Sequence, residues 1–436
     1  MLIKKHVGPI RLLGSCSLGE DATLAAVPLI AQLLRRPASA KARAQAAKAL
    51  GLLASSPEIA EGVADVALPD LVVLLKDKHT DCRCAAVGAL GSIAQTPSIA
   101  ERIAEAGLRD LVPFLTDPDP QCRGNGAAAL LAMACSETVA RHIADAALPG
   151  LVKHLNGTDS KLKCMAVFAL AILAGSKDLR RRIANMALSA LVSLLSDPLA
   201  EIRFTAAHAL GNLASSLELK GRIGKAALPE LVALLKDEEP ECRSHAAGAL
   251  VGLACHEDVA PHIADSALPA LTKLLLDPNT PPEGLSNAAR VVRNLADIVK
   301  LRLQTAKPML TPLVQLLKHP LTPVDCRVCC LQAIGNLARE AQLRKRIASA
   351  ALPAALPALV DMLNDDQVEC RRLAASVIGN LSCSEHLADG IAKTAATSLK
   401  KLLSDTDAEC RSITTSVLSN LTTLGSLLDF SGPPAS

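Results

Sequence analysis

Fourteen cysteines and ten histidines are the residues of this 436-residue chain whose types could carry metal or nucleophilic chemistry. Cys326, Cys329 and Cys330 stand at i, i+3 and i+4, a spacing that turns three thiols to one side of a helix. A structural zinc site takes four ligands, and the neighbouring sequence supplies no fourth. No His-Glu-x-x-His pair, phosphate-binding Gly-Lys loop, dinucleotide fingerprint or Gly-x-Ser-x-Gly elbow occurs. The other cysteines fall into columns. Cys82, Cys122, Cys242, Cys326, Cys370 and Cys410 each stand just before a recurring arginine, and Cys135, Cys255 and Cys383 share a second register. Equivalent positions on packed helices lie about 8–10 Å apart, beyond the roughly 7 Å that a disulfide spans. Both columns are therefore expected to be free thiols, buried as small apolar residues in a reducing compartment. The expectation is a chain with no catalytic residue, no metal site and no cofactor.

The elements that would position these columns show in the composition. Half the residues are apolar and a fifth charged, with no Trp, no Tyr and four Phe. An Ala- and Leu-rich core without aromatic filler suits thin, closely packed helical layers. A net charge of +3 is too mild to imply a nucleic-acid or membrane partner. The longest apolar run, Ala350 to Val360, holds two prolines and is far shorter than the roughly 20 residues of a membrane span. The segment Met1 to Gly14 has no continuous apolar stretch of the signal-peptide kind.

In rows of forty the sequence repeats itself. The phrase Ala67-Leu-Pro-Asp-Leu-Val-Val-Leu-Leu-Lys-Asp77 returns at 107–117, 187–197, 227–237 and 267–277. Anchor leucines at 29, 71, 111, 151, 191, 231, 271, 313, 359 and 399 mark about ten units. Each unit reads as three helices. The first starts at Ser56-Pro57 or its equivalent Thr96-Pro97, an N-cap followed by a residue preset for the first helical position. The second covers about Pro69 to Lys76, and the third about Cys82 to Ala94, with Ala85, Ala86, Ala89, Leu90 and Ile93 spaced for one face. Such a unit buries its apolar faces only against its neighbours. The expected fold is all-α, a right-handed α-solenoid over 21–426, with a cap segment at 1–20 and a flexible tail at 427–436.

An Asp precedes an Arg by six residues at 77/83, 117/123, 197/203, 237/243, 365/371 and 405/411. This is expected to form an ionic ladder between adjacent turns, each exposed rung contributing roughly 0–1 kcal/mol. The pattern fails at Gly157 and Lys163, at Leu285 and at His319. Irregularities are thus expected at 278–312 and, where four extra residues enter, at 341–358. The clusters Arg180-Arg181-Arg182 and Arg344-Lys345-Arg346 are expected to be solvated faces of first helices.

Ile103-Ala-Glu-Ala-Gly-Leu-Arg-Asp-Leu-Val-Pro-Phe-Leu115 and Ala209-Leu-Gly-Asn-Leu-Ala214 resemble the armadillo repeat, and the Pro69, Asp77, Arg83 spacing resembles the related HEAT repeat. The likeness runs over roughly residues 20 to 425. It implies that the third helices line a concave groove, along which two columns can be followed. The lower column carries Asn212, Asn294, Asn336, Asn380 and Asn420. In the importin-α family such asparagines grip the backbone of an extended peptide beside tryptophan slots; here the tryptophan positions hold other residues. The upper column carries Phe168, His208, Arg290 and Gln332, with Phe204 one turn before His208. Aromatics on an exposed binding face suit a hot spot.

The functional expectation is a non-enzymatic scaffold that holds a protein or peptide segment in this groove, through Phe168, Phe204, His208, Asn212, Arg290, Asn294, Gln332, Asn336, Asn380 and Asn420. No nucleic acid is expected, since stacking aromatics are missing. The phrase Ser98-Ile-Ala-Glu-Arg-Ile-Ala-Glu-Ala-Gly107 resembles armadillo proteins of cilia and flagella, which implies a subunit of a cytoskeletal assembly in the cytoplasm. The alternative is a transport adaptor of the importin-α kind.

Overall fold

The computed structural model describes residues 20–424 except 36, 55, 135 and 136. The cap expected before residue 20, the tail expected at 427–436 and Cys135 lie outside the described residues. The chain divides into two compact units, Met1–Leu219 and Lys220–Ser436. The first holds the helix pairs α1 (Glu20–Gln32) and α2 (Ala40–Leu53), α3 (Pro57–Leu74) and α4 (Thr80–Ile93), α5 (Pro97–Leu111) and α6 (Pro120–Met133), α7 (Glu137–Leu155) and α8 (Ser160–Leu173), and α9 (Lys177–Ser193) and α10 (Ala200–Leu213). Helix α11 (Leu217–Leu234) begins at the end of this unit. The second unit continues with α12 (Pro240–Leu253), then α13 (Ala260–Ser266), α14 (Leu268–Leu276) and α15 (Pro282–Asp297). It closes with the pairs α16 (Arg302–Lys318) and α17 (Val324–Ala338), α18 (Ala341–Met362) and α19 (Val368–Ser382), and α20 (Glu385–Leu402) and α21 (Ala408–Thr423).

Each unit is an all-α solenoid of two layers. First helices pack on first helices, as α3 on α5, and second helices on second helices, as α4 on α6 or α15 on α17. The second helices of the first unit come close. A Cβ added at Gly51 would stand 3.0 Å from Ala89 Cα, and one at Gly91 3.1 Å from Ala129 Cα.

The three helices expected per repeat are two in most repeats. The expected first and second run on as one, with Pro69, Pro149 and Pro229 inside α3, α7 and α11. A proline removes one backbone donor and bends a helix. The residues before it, such as Ala67-Leu68, are strong helix formers that keep the backbone in the αR region. In the seventh repeat the helix parts into two, at Ala267 between α13 and α14. The four extra residues before Leu359 do not loop out; they extend α18 to 22 residues.

The Asp–Arg motif works differently from a row of exposed pairs. Oδ1 of each Asp accepts the backbone N–H two residues on: His79 on Asp77 (2.9 Å), Asp119 on Asp117 (2.9 Å), Leu199 on Asp197 (3.0 Å), Gln367 on Asp365 (2.9 Å) and Asp407 on Asp405 (2.9 Å). This Asx turn closes the link between the two helices of a repeat. The Arg six residues later donates to the carbonyl oxygen of its own Asp, not to its carboxylate, as Arg123 Nη1 does to Asp117 O at 2.9 Å and Arg371 Nη1 to Asp365 O at 2.9 Å. The carboxylate pairs with the cation of the preceding repeat: Arg43–Asp77 at 2.7 Å, Lys163–Asp197 at 3.0 Å, Arg243–Asp277 at 3.0 Å, Arg327–Asp365 at 3.2 Å and Arg371–Asp405 at 2.7 Å. These rungs are not the exposed pairs expected, since the side chains of Arg43 and Asp77 are only 7% and 6% exposed. Stacking covers each rung with the next repeat, and a pair out of water is strongly coupled to its partner.

Because a rung joins neighbouring repeats, two of the departures fall on one rung, whereas Gly157 offers no carboxylate opposite Arg123 and Lys163 stands in for an arginine opposite Asp197. Leu285 and His319 would face each other across one rung, and both lack the charge. Threonine takes over the closing of the turn on either side. Buried Thr280 donates to Leu274 O at 2.7 Å, and buried Thr322 to Leu316 O at 2.6 Å. His319 keeps the turn itself, its Nδ1 accepting from Leu321 N–H at 3.3 Å.

Three arginines of the basic clusters, Arg180, Arg182 and Arg344, have structural partners, while Arg181 is exposed. Arg180 Nε donates to Ala174 O, closing the C-terminus of α8, and Arg344 Nε donates to Ala338 O at the end of α17, both at 2.9 Å. Arg182 pairs with Asp145 at 2.8 Å.

Two predictions follow from the rungs. Removing one partner of a covered pair, Arg371→Ala, should cost about 3–5 kcal/mol. Removing an exposed one, Arg182→Ala, should cost about 0–1 kcal/mol. Amide hydrogen exchange over α19–α21 and over α7–α9 measures both. The Arg371 guanidinium, helped by the Asp407 N–H, outweighs burial and holds the Asp405 carboxyl below its ordinary value of 3.8. Its contribution is complete above the unfolded pKa of about 3.9 and is lost as pH falls through the lower folded value. Protection against exchange in α19–α21 should fall as pH drops below about 4, and Asp405→Asn should flatten that dependence.

Candidate partner-binding face of the second helices

The second helices bury Ala, Leu, Ile and Cys on one side, and the two columns of interest lie beside that stripe. In the first unit Phe168 on α8 is 41% exposed. On the adjacent α10, Phe204 and Asn212 are half-buried and His208 is exposed. The two helices pack on each other, so the four residues share a neighbourhood.

In the second unit α15, α17 and α19 enclose a cleft of about 370 Å³. Asn294, Gln332, Asn336 and Asn380 all line it, together with Ser376. Four of the ten expected site residues therefore meet in one place. Arg290 is exposed on the same helix as Asn294, and Asn420 is exposed on α21; neither lines the cleft.

The Asn column does two things. Asn212 Nδ2 donates to Ala171 O at 2.8 Å, Asn294 Nδ2 to Val251 O at 2.9 Å and Asn380 Nδ2 to Gly335 O at 3.3 Å. Each bond crosses to the preceding second helix, so these amides spend one N–H on the solenoid. Asn125 makes the same bond to Cys84 O at 3.0 Å from an earlier position on its helix. Asn336 lines the cleft without such a bond.

The cleft also holds Arg293, Arg339 and Asp297, which the column reading passed over. Arg293 Nε and Nη2 donate to Asn294 Oδ1 at 3.1 and 2.8 Å, and Nη1 donates to Gln332 Oε1 at 3.3 Å. The available signal was the Arg-Asn dipeptide at 293–294, which puts a long cation beside a column amide. A second opening of about 590 Å³ lies in the first unit, lined by Gly51, Leu52, Gly88, Ser92 and Asn125 among others. Leu52 is 78% exposed there.

The cysteines divide against expectation. Cys82, Cys242, Cys326, Cys370 and Cys410 are free and buried, as the register suggests. Burial pushes the Cys410 thiol up to about 11, helped by Asp407, which makes it an inert thiol. Cys122, of the same column, is instead disulfide-bonded to Cys84, with Cα atoms 4.7 Å apart. Cys84 stands two residues beyond the column position, and this diagonal between offset positions is shorter than the step between equivalent ones. Cys255 and Cys383 are exposed rather than buried. Each follows the end of its second helix and turns back on its own chain, Cys383 Sγ lying 3.4 Å from Gly379 O. Among the described residues, the potential metal-ligand atoms that gather are those of Cys84, Asp119 and Cys122, whose two sulfurs are already joined. No helix among the described residues is long and apolar enough to cross a membrane.

Models of the HEAT repeat match residues 67–96, and those of HEAT repeats match 148–220. The crystal structure of an engineered protein is 27% identical to this chain, covering 91% of it and 98% of that protein, with a TM-score of 0.64. The chain is an armadillo/HEAT-like repeat protein. No curated protein matches it. Within the matched segments this HEAT-like repeat protein displays fused first helices, as in α3 and α7, and rungs to neighbouring repeats at Asp77 and Asp197. HEAT repeats generally mediate protein interactions.

The two roles of the Asn column are separable. Asn294→Ala should cost about 1 kcal/mol through the bond lost to Val251. Asn336→Ala should leave stability within about 0.5 kcal/mol of the native chain. Chemical denaturation of both variants, read beside hydrogen exchange in α12 and α15, makes the comparison.

Proposed function

We propose that the chain is a non-enzymatic scaffold that holds a segment of a partner protein against its second helices, with the cleft between α15, α17 and α19 as the principal seat. The observation that carries this is the convergence of Asn294, Gln332, Asn336, Ser376 and Asn380 on one cleft of about 370 Å³. Amides and hydroxyls in a shallow polar cleft suit a peptide backbone, which offers one donor and one acceptor per residue. Phe168, with Phe204 and His208 beside it, offers the first unit an aromatic anchor of the kind that dominates interface energies.

A subunit of a ciliary or cytoskeletal assembly in the cytoplasm is the finer version, supported by the Ser98–Gly107 phrase. The importin-α-like adaptor is disfavoured by the lack of tryptophan anywhere in the chain.

A photo-crosslinking residue at position 376, with a second at 168 in a separate protein, tests the seat. The expected result is crosslinks to a discrete partner segment from 376, weakened by Gln332→Ala/Asn336→Ala. Crosslinks that arise only from control positions on the first helices would remove the proposal. Phe168→Ala/Phe204→Ala should weaken partner capture about tenfold or more if the aromatic anchor acts as a hot spot. Tagged full-length chain should co-localise with a cytoskeletal structure; accumulation in the nucleus would favour the adaptor.

A further inference from the structure

We infer that the second-unit cleft selects an extended acidic protein segment, whose carboxylates are taken by Arg290, Arg293 and Arg339. The inference rests on the scaffold reading above and adds the chemistry of the partner.

Several arginines that face a neighbouring repeat end on a carboxylate, as Arg43, Arg243, Arg327 and Arg371 do. Arg293 does not. Three of its N–H groups go to the neutral oxygens of Asn294 and Gln332. A guanidinium has five N–H donors in a rigid fork. Two therefore remain, and amide oxygens orient the group without cancelling its charge. Arg290 is exposed one turn before it on the same face of α15, and Arg339 is exposed at the end of α17, on the cleft wall. Among the described residues, none of the three has a carboxylate within ion-pair distance. The charges of Arg290 and Arg293 also act on Cys329 of α17, favouring its thiolate against a larger effect of burial. One acidic residue, Asp297, lines the cleft, against two arginines on its wall and a third beside it.

Such a surface repels a basic segment and binds carboxylates through charge-assisted, bidentate bonds. Packed helices are about 8–10 Å apart and an extended chain rises about 3.3 Å per residue. Acidic residues about three apart would meet α15 and α17 in turn. The neighbouring Asn336 and Ser376 are left for the backbone between them.

The test uses the full chain and three fluorescein-labelled decapeptides, with Glu, Gln or Lys at every third position and Ser elsewhere, followed by anisotropy. The Glu peptide should bind at least about tenfold more tightly than the Gln peptide, one charge-assisted bond being worth roughly a factor of ten. That advantage should shrink at high salt. Arg290→Glu/Arg339→Glu, whose sites are exposed and whose melting should match the parent, should abolish Glu-peptide binding and admit the Lys peptide. Equal binding of Glu and Gln peptides, both weakened by Asn336→Ala, would overturn the acidic preference while leaving the scaffold reading intact. Glu-peptide binding unchanged by the double reversal, or none below about 1 mM, would overturn it as well.

Discussion

Every repeat in this protein has to close a turn between two helices and, at the same place, fasten itself to its neighbour. One aspartate meets both needs. Its first oxygen takes a backbone N–H of its own turn, and its second takes the cation of the repeat before. The cation in turn holds the carbonyls of the turn before it, as Arg371 does with Asp365 O and Asp366 O. The unit of construction is thus the junction between repeats rather than the repeat alone, as expected where no repeat can bury its own apolar face. The fused first helices, the buried cysteine column and the close approach at Gly51 and Gly91 all sit within that frame.

The same economy governs the amides. Asn212, Asn294 and Asn380 bind the preceding helix through Nδ2, so a column that reads as a row of peptide clamps is in part a row of staples. Where the amide is left open, at Asn336, the cleft opens too. The proposed seat and the stacking thus draw on one set of side chains, and the first unit exposes apolar Phe168 and Leu52 where the second exposes amides and guanidinium groups.

Much of the site was legible because period and position are enough to select a helix face. Gln332, Asn336 and Asn380 could be placed together from the forty-residue rhythm alone. Arg293 could not, because a column read at four-residue steps omits the residue next to a column member. Arg290 and Asn420 were on the right face yet outside the cleft, since the wall of a cavity depends on how neighbouring helices tilt and end. The exposure of Cys255 and Cys383 was hidden for a related reason: a residue just past a helix end follows the turn, not the helical stripe.

From sequence alone came the repeat, its length, the helical class, the two breaks in the rhythm and the absence of catalytic motifs, all consequences of local patterning that survive whatever the neighbours do. The tertiary structure decided which partner each charged group takes. Asp77 and Arg83 are six residues apart, yet the carboxylate of Asp77 belongs to Arg43. It also decided that Cys122 joins Cys84, and that Arg293 rests on amides and keeps its charge. Pairing of this kind is settled by distances between successive layers, which depend on how one repeat seats on the next, and no single repeat contains that information.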